Sequence, residues 1–186
     1  MRNKIYVFRS NTKDHSSFIQ NYPDGEESIM GRSVDNSWRP FDNYSPISLE
    51  LNKSDTGKKN YQFDFSGSLR PFFVFSEKAF DKIGDILLPR GQVLPVITES
   101  KKKKFFGYYP TNPLKGCFDN ENSVYREYPK GLMIDKLVLI GKNISDEYLF
   151  SIEEHISGVF VTEKFKTRIE EAGLLGFDFS REIQTT

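Results

Sequence analysis

The stretches FFVFSEKAF (residues 72–80) and VFVTEKFKT (residues 159–167) are nearly one phrase written twice. Each is an apolar run, then a hydroxyl residue, then Glu-Lys, then an amphipathic segment. This is how a strand hands over to a capped helix. The hydroxyl can accept an orphan amide of the first turn, and the carboxylate faces the positive end of the helix dipole. The first copy therefore predicts a strand at Pro71–Phe75, Ser76 as N-cap, and a helix over about 76–88 on Ala79, Phe80, Ile83, Ile86 and Leu87. Pro89-Arg90-Gly91 stops that helix, and Val93–Thr98 reads as the next strand. The second copy predicts a strand at Gly158–Val161, Thr162 as cap, a helix over about 162–173 on Phe165, Ile169 and Ala172, and a short strand at Phe177–Phe179. Phe73, Phe75, Val159 and Val161 should point from their strands into the core.

The expected fold class is therefore α+β, with mixed or antiparallel sheets, two main helices and room for two similar strand–helix–strand lobes. A chain of 186 residues fits a single domain, 1–186, with lobes dividing at 1–98 and 99–186. Around the two copies, Ile5–Phe8, Pro46–Leu51, Tyr61–Phe65, Phe105–Tyr109, Val124–Tyr128 and Leu132–Ile140 read as strands. Asp146–Ile152 is apolar but of undecided type. Lys101–Lys104 reads as the basic tip of a hairpin, Asn21–Gly25 and Lys53–Asn60 as turns, and Thr185-Thr186 as a frayed end. Ser10–Ser45 is polar and rich in turn formers, and is expected to be long loop with one short strand around Ser28–Met30. A loop of that length in a compact domain is often functional.

Composition excludes several function classes. Lys and Arg number 26 and so do Asp and Glu, which leaves no basic excess for general nucleic-acid or anionic-membrane binding. The charge is uneven, however. Asp14, Asp24, Glu26, Glu27, Asp35, Asp42 and Glu50 outnumber Arg32 and Arg39, and the balance reverses from Lys53 to Lys115. No apolar run approaches the ~18 residues of a membrane span, and Ile5–Phe8 is too short for a signal-peptide core. The only cysteine, Cys117, cannot form an intrachain disulfide, so a reduced, cytoplasmic setting is expected.

Chemistry-bearing motifs are sparse. His15 and His155 begin no zinc pattern. Asp119–Ser123 lacks the glycine turn and distal glutamate of a calcium loop, and reads as a polar turn. No phosphate-binding glycine loop is present. Catalytic residues, metal and cofactor are accordingly none. Lys101–Lys104 followed by Phe105, Phe106, Tyr108 and Tyr109 could in principle track a single nucleic-acid strand, but strand alternation argues against four rings facing outward together. The best partner-binding residues are Trp38, Arg39, Phe41 and Tyr44, because Trp, Arg and Tyr dominate interface hot spots.

A family pattern runs through the rest of the chain. It comprises Phe73–Phe80, Val93-Leu94-Pro95-Val96, Tyr108-Tyr109 with Asn112, Asp119 with Glu121 and Ser123, Leu132–Leu139, Glu147–Ile152 and Gly158–Phe179. Over about residues 70–180 the sequence resembles the bacterial polymorphic-toxin immunity family numbered eleven, formerly a domain of unknown function. The first 70 residues match it only loosely, and Pro110 and Pro113 crowd a passage that is more regular in the family. The resemblance implies a small cytoplasmic protein that neutralises a cognate secreted toxin by binding it, by occlusion and not catalysis. It carries over no binding residues. Two other functions stay open at this point: an enzyme with a cryptic polar site at Asp119, Glu121 or His155, and a single-strand nucleic-acid module at Lys101–Lys104.

Overall fold

A computed structural model describes every residue except Met1, Arg2, Pro23, Asp24, Lys58 and Ser145. Parts of the turns expected at 21–25 and 53–60, and one acid of the 14–50 region, thus lie outside the described residues.

The first half of the chain forms β1 (Ile5–Val7), β2 (Arg9–Ser10), β3 (Phe18–Asn21), α1 (Ile29–Asn36), β4 (Ile47–Leu51), β5 (Phe65–Ser66), β6 (Phe73–Ser76) and α2 (Glu77–Leu87). A short 3-10 turn, Leu88–Arg90, leads into β7 (Gly91–Ile97) and β8 (Phe105–Pro110). There follow β9 (Pro113–Leu114), β10 (Val124–Tyr128), β11 (Gly131–Lys136), β12 (Val138–Leu139), β13 (Leu149–Ile152) and β14 (His155–Thr162). The chain closes with α3 (Glu163–Glu171), β15 (Phe177–Asp178) and β16 (Glu182–Thr185). The fold is α+β.

Two six-stranded mixed sheets carry the architecture, in the orders β3-β4-β7-β8-β6-β5 and β12-β16-β1-β14-β13-β9. Their membership does not follow the halves 1–98 and 99–186. The first sheet runs on to Pro110, and β1 from the N-terminus lies inside the second sheet, between β14 and β16.

The repeated phrase is built into both sheets in the same way. β6 pairs antiparallel with β5 and β8, placing Ser76 opposite Phe105. β14 pairs antiparallel with β13 and β1, placing Thr162 opposite Ile5. At each strand–helix junction the first helical amide leaves its own chain segment: Glu77 donates to the Lys104 carbonyl and Glu163 to the Lys4 carbonyl, both at 2.9 Å. The preceding amides match as well, Ser76 donating to Asp64 and Thr162 to Tyr148. The units diverge after the helix, where β7 returns to the sheet of β6 and β15 pairs with β2.

Side-chain alternation along these strands separates three cores. Phe73 and Phe75, with Tyr6, Phe8, Val159 and Val161, enter a central core capped by α2 and α3, as their spacing predicts. Their neighbours Phe72 and Val74 face α1, β3 and β4 on the far side of the first sheet. Ile5, Val7 and Phe160 face a third cluster with Cys117 and Phe150. Phe8 sits at the centre, with ring centroids 4.3 Å from Phe65, 4.8 Å from Phe73 and 5.4 Å from Phe165. Across the top, Arg168 of α3 makes two hydrogen bonds to Asp85 of α2, at 2.8 and 3.0 Å.

Four sequence expectations are corrected. The 10–45 region holds strand β3 and helix α1 where loop and a short strand at Ser28–Met30 were expected. Gln20 of β3 explains α1: its side-chain oxygen accepts the Ile29 amide at 2.8 Å, while its NH2 reaches the Glu27 carbonyl at 3.0 Å. Tyr61–Phe65 forms strand only at its end, in β5. Thr162 occupies the cap position of α3 without a side-chain cap bond, and its hydroxyl donates instead to the Glu147 carbonyl at 2.8 Å. The C-terminus is fastened: Thr186 donates its amide to Leu139 at 2.9 Å and its hydroxyl to Asp119 at 2.8 Å.

Candidate functional site

Helix α1 and the segment after it, 37–44, form one face. Ser28 caps α1, accepting the Gly31 amide at 3.4 Å. Ile29 and Ser33 are buried against the first sheet. Met30 and Val34, one turn apart, are exposed, as are Glu27, Asp35, Arg39 and Asp42. These charges make no ion pair among the described residues. The helix ends on Ser37 and Trp38, both with left-handed backbones at φ 49° and 61°. Such consecutive non-glycine conformations persist only where surrounding contacts fix them.

Those contacts tie the segment to the first sheet. The Tyr109 hydroxyl donates to the Ser33 carbonyl at 2.6 Å and accepts the Trp38 amide at 2.9 Å. Burial raises the Tyr109 phenol, which stays a neutral donor. Gln92 brackets Phe41, accepting its amide at 2.7 Å and donating to its carbonyl at 3.1 Å. Tyr44 donates to the Pro95 carbonyl at 2.7 Å, and burial pushes its pKa up to about 12. Arg32 lies 5.4 Å over the Phe41 ring and reaches the Asn43 carbonyl at 3.2 Å.

The four residues singled out in sequence therefore divide. Phe41 and Tyr44 are half-buried and pack on the core, Phe41 5.0 Å from Tyr109 and Tyr44 6.5 Å from Phe72. Trp38 is also half-buried, and its indole N–H is enclosed with no hydrogen-bond partner among the described residues. Only Arg39 is exposed. The outward-facing apolar residues, Met30 and Val34, escaped the sequence reading because α1 did. The Ser28 cap was the available signal. Between helix and segment lies a shallow groove of about 380 Å³, lined by Glu27, Arg32, Asp35 and Asp42 among others.

The other sequence candidates do not assemble. Asp119 and Glu121 line one surface depression and His155 another. Hydrogen bonds from Asn122, Thr186 and the amides at 121 and 122 hold the Asp119 carboxyl below its usual range, which makes it the organiser of a turn. Cys117 is buried, and burial followed by the charge of Glu154 keeps its thiol protonated. Among the described residues no three His, Cys, Asp or Glu side chains gather into a metal-binding group. Beside Lys101–Lys104, Phe105, Tyr108 and Tyr109 are buried, so they offer bases no stacking surface. Lys103 turns inward to Asp64 at 3.0 Å. No described helix is long and apolar enough to cross a membrane. No family model matches the chain, and no curated protein matches it.

Proposed function

We propose that this chain is a bacterial immunity protein that binds a cognate secreted toxin in the cytoplasm and neutralises it by occlusion. The observation that carries the reading is the α1–44 face. Its backbone is fastened to the sheet below through Tyr109, Gln92 and Tyr44. Among the described residues, the side chains of Met30, Val34, Asp35 and Asp42 point outward with no bond to the rest of the fold, and exposed Arg39 reaches only the Asn36 carbonyl, at 3.1 Å. A surface ordered before contact loses little entropy on binding. An apolar pair ringed by charge is the usual anatomy of a protein interface. The acidic excess around it suits a basic patch on the toxin. The resemblance of residues 70–180 to the immunity family supplies the class of partner.

The test is co-expression with the toxin polypeptide encoded beside this gene. Occlusion predicts growth rescue only when the chain is at least equimolar with the toxin, and a stable complex on pull-down. Rescue at strongly substoichiometric levels would point to catalytic reversal of the toxin's damage. Absence of both rescue and complex would sink the proposal.

A further inference from the structure

On the face of the second sheet away from the central core, a cavity of about 260 Å³ opens to solvent. Three donors from distant parts of the chain border it: Arg70 just before β6, His155 at the start of β14, and Arg181 just before β16. Val7, Phe160 and Ile183 supply an apolar floor. Among the described residues, none of the three donor side chains has a hydrogen bond or an ion pair. The one acid in the lining, Asp135, is engaged with Arg126 at 3.2 Å.

Positive groups gathered without acceptors cost stability unless something else answers them. Loss of water, then the charges of Arg181 and Arg9, hold the Arg70 guanidinium below the usual arginine range. Burial and Arg70 likewise lower His155. Arg9 already has Asp178 at 3.2 Å, so the uncompensated charge is that of Arg70 and Arg181. Gly158 belongs to the same construction. A Cβ there would stand 2.5 Å from the His155 ring and 3.1 Å from the Phe160 ring, so glycine is what lets the imidazole lie against the sheet at the cavity wall.

We propose that this cavity binds a small phosphate monoester, with the phosphate between Arg70 and Arg181, His155 donating to it, and an apolar or planar body on the Val7–Phe160–Ile183 floor. Two guanidinium forks and an imidazole match the three terminal oxygens of a dianionic phosphate, whereas a carboxylate would fill only one fork. Size agrees: about 150 Å³ of apolar cavity holds a benzene ring, and the remainder admits the phosphate.

Phenyl phosphate, inorganic phosphate and benzoate, titrated calorimetrically into the full chain at low salt, test this. The expected result is saturable 1:1 binding of phenyl phosphate, tighter than either of the other two. Arg70→Gln and Arg181→Gln should each weaken it at least tenfold, and the double variant should abolish it. Arg39→Gln, on the α1 face, should leave it unchanged. Neither cavity arginine has a partner among the described residues, and removing either relieves repulsion with the other, so the variants should melt at or above the wild-type temperature. Gly158→Ala provides a second route by displacing His155, with at least a fivefold loss. Undetectable binding of phenyl phosphate, or affinity unaltered in the double variant, overturns the proposal. Benzoate binding as tightly as phenyl phosphate overturns the assignment to phosphate. None of these readouts depends on a toxin.

Discussion

Asp64 accepts the hydroxyl proton of Ser76 at 2.7 Å, while the same hydroxyl oxygen accepts the Ala79 amide at 3.1 Å. The cap of α2 is thus itself held by a buried carboxylate. Asp64 also takes the Leu175 amide at 2.9 Å and Lys103 at 3.0 Å. One side chain thereby ties a helix start, a hairpin and the C-terminal segment together.

Burial alone would raise the Asp64 pKa, but the bonds from Ser76, Leu175 and Lys103 overcome it and hold the carboxyl below its usual range. A depressed folded-state value stabilises the protein fully above the ordinary carboxylate range, near 4. That contribution fades as pH falls through the folded value. Asp64→Asn should cost about 3 kcal/mol at neutral pH. The gap between variant and wild type should be constant above about pH 4 and narrow as the pH falls below it. Urea denaturation from pH 3 to 7 measures both, and a pH-independent gap would refute the linkage.

Ser76 and Thr162 look equivalent in sequence but should respond differently. Ser76→Ala removes a helix cap and a charge-assisted bond, and should cost about 2–3 kcal/mol. Thr162→Val removes only the bond to the Glu147 carbonyl, and should cost about 1 kcal/mol. Chemical denaturation of the two variants compares them directly. Equal losses would contradict the geometry.

Gly107 in β8 lies beneath the Phe72 ring, and an added Cβ would fall inside contact distance of that ring. Phe72 is fully buried and cannot swing into solvent. Gly107→Ala should therefore destabilise the protein by about 2 kcal/mol through overpacking. Wild-type stability in this variant would mean that the ring can yield.

Met30→Glu and Val34→Glu change exposed positions that the fold does not use. Each should alter stability by no more than about 0.5 kcal/mol. Together they should remove protection in the toxin co-expression assay. Thermal melts run beside the growth assay separate loss of contact from loss of fold, and full protection by the folded double variant would move the interface elsewhere.

What could be read in sequence was what local chemistry determines. Helices α2 and α3 follow from apolar spacing behind Ser76 and Thr162, although only Ser76 caps with its side chain, and the Lys101–Lys104 tip follows from polar residues between two apolar runs. Helix α1 could not be read that way, because Gly31, Ser33, Asp35 and Asn36 are weak helix formers. It forms because Gln20 holds its start and Tyr109 its end. Strand β16 depends on pairing with β1 and β12, neither of which is near it in sequence. Aromatic content marked the 38–44 segment as a binding region, but alternation does not operate in irregular chain. Nothing local distinguished Phe41 and Tyr44, which rest on the core, from Arg39, which faces out. Arg70, His155 and Arg181 meet only because the turn before β6 of the first sheet comes against β14 and β16 of the second.

The interior position of β1 sets an order of events during synthesis. Tyr6 and its partner Glu163 are 157 residues apart, and both strands that flank β1 come from the last 32 residues of the chain. The sheet of β3 to β8 can close as soon as residue 110 has emerged. β1 must wait, its edges unpaired, until β14 and β16 have emerged. Closing so long a loop is entropically slow. A nascent chain stalled before β14 therefore carries an orphan strand at its N-terminal end beside an already formed sheet, a state exposed to aggregation and to chaperones.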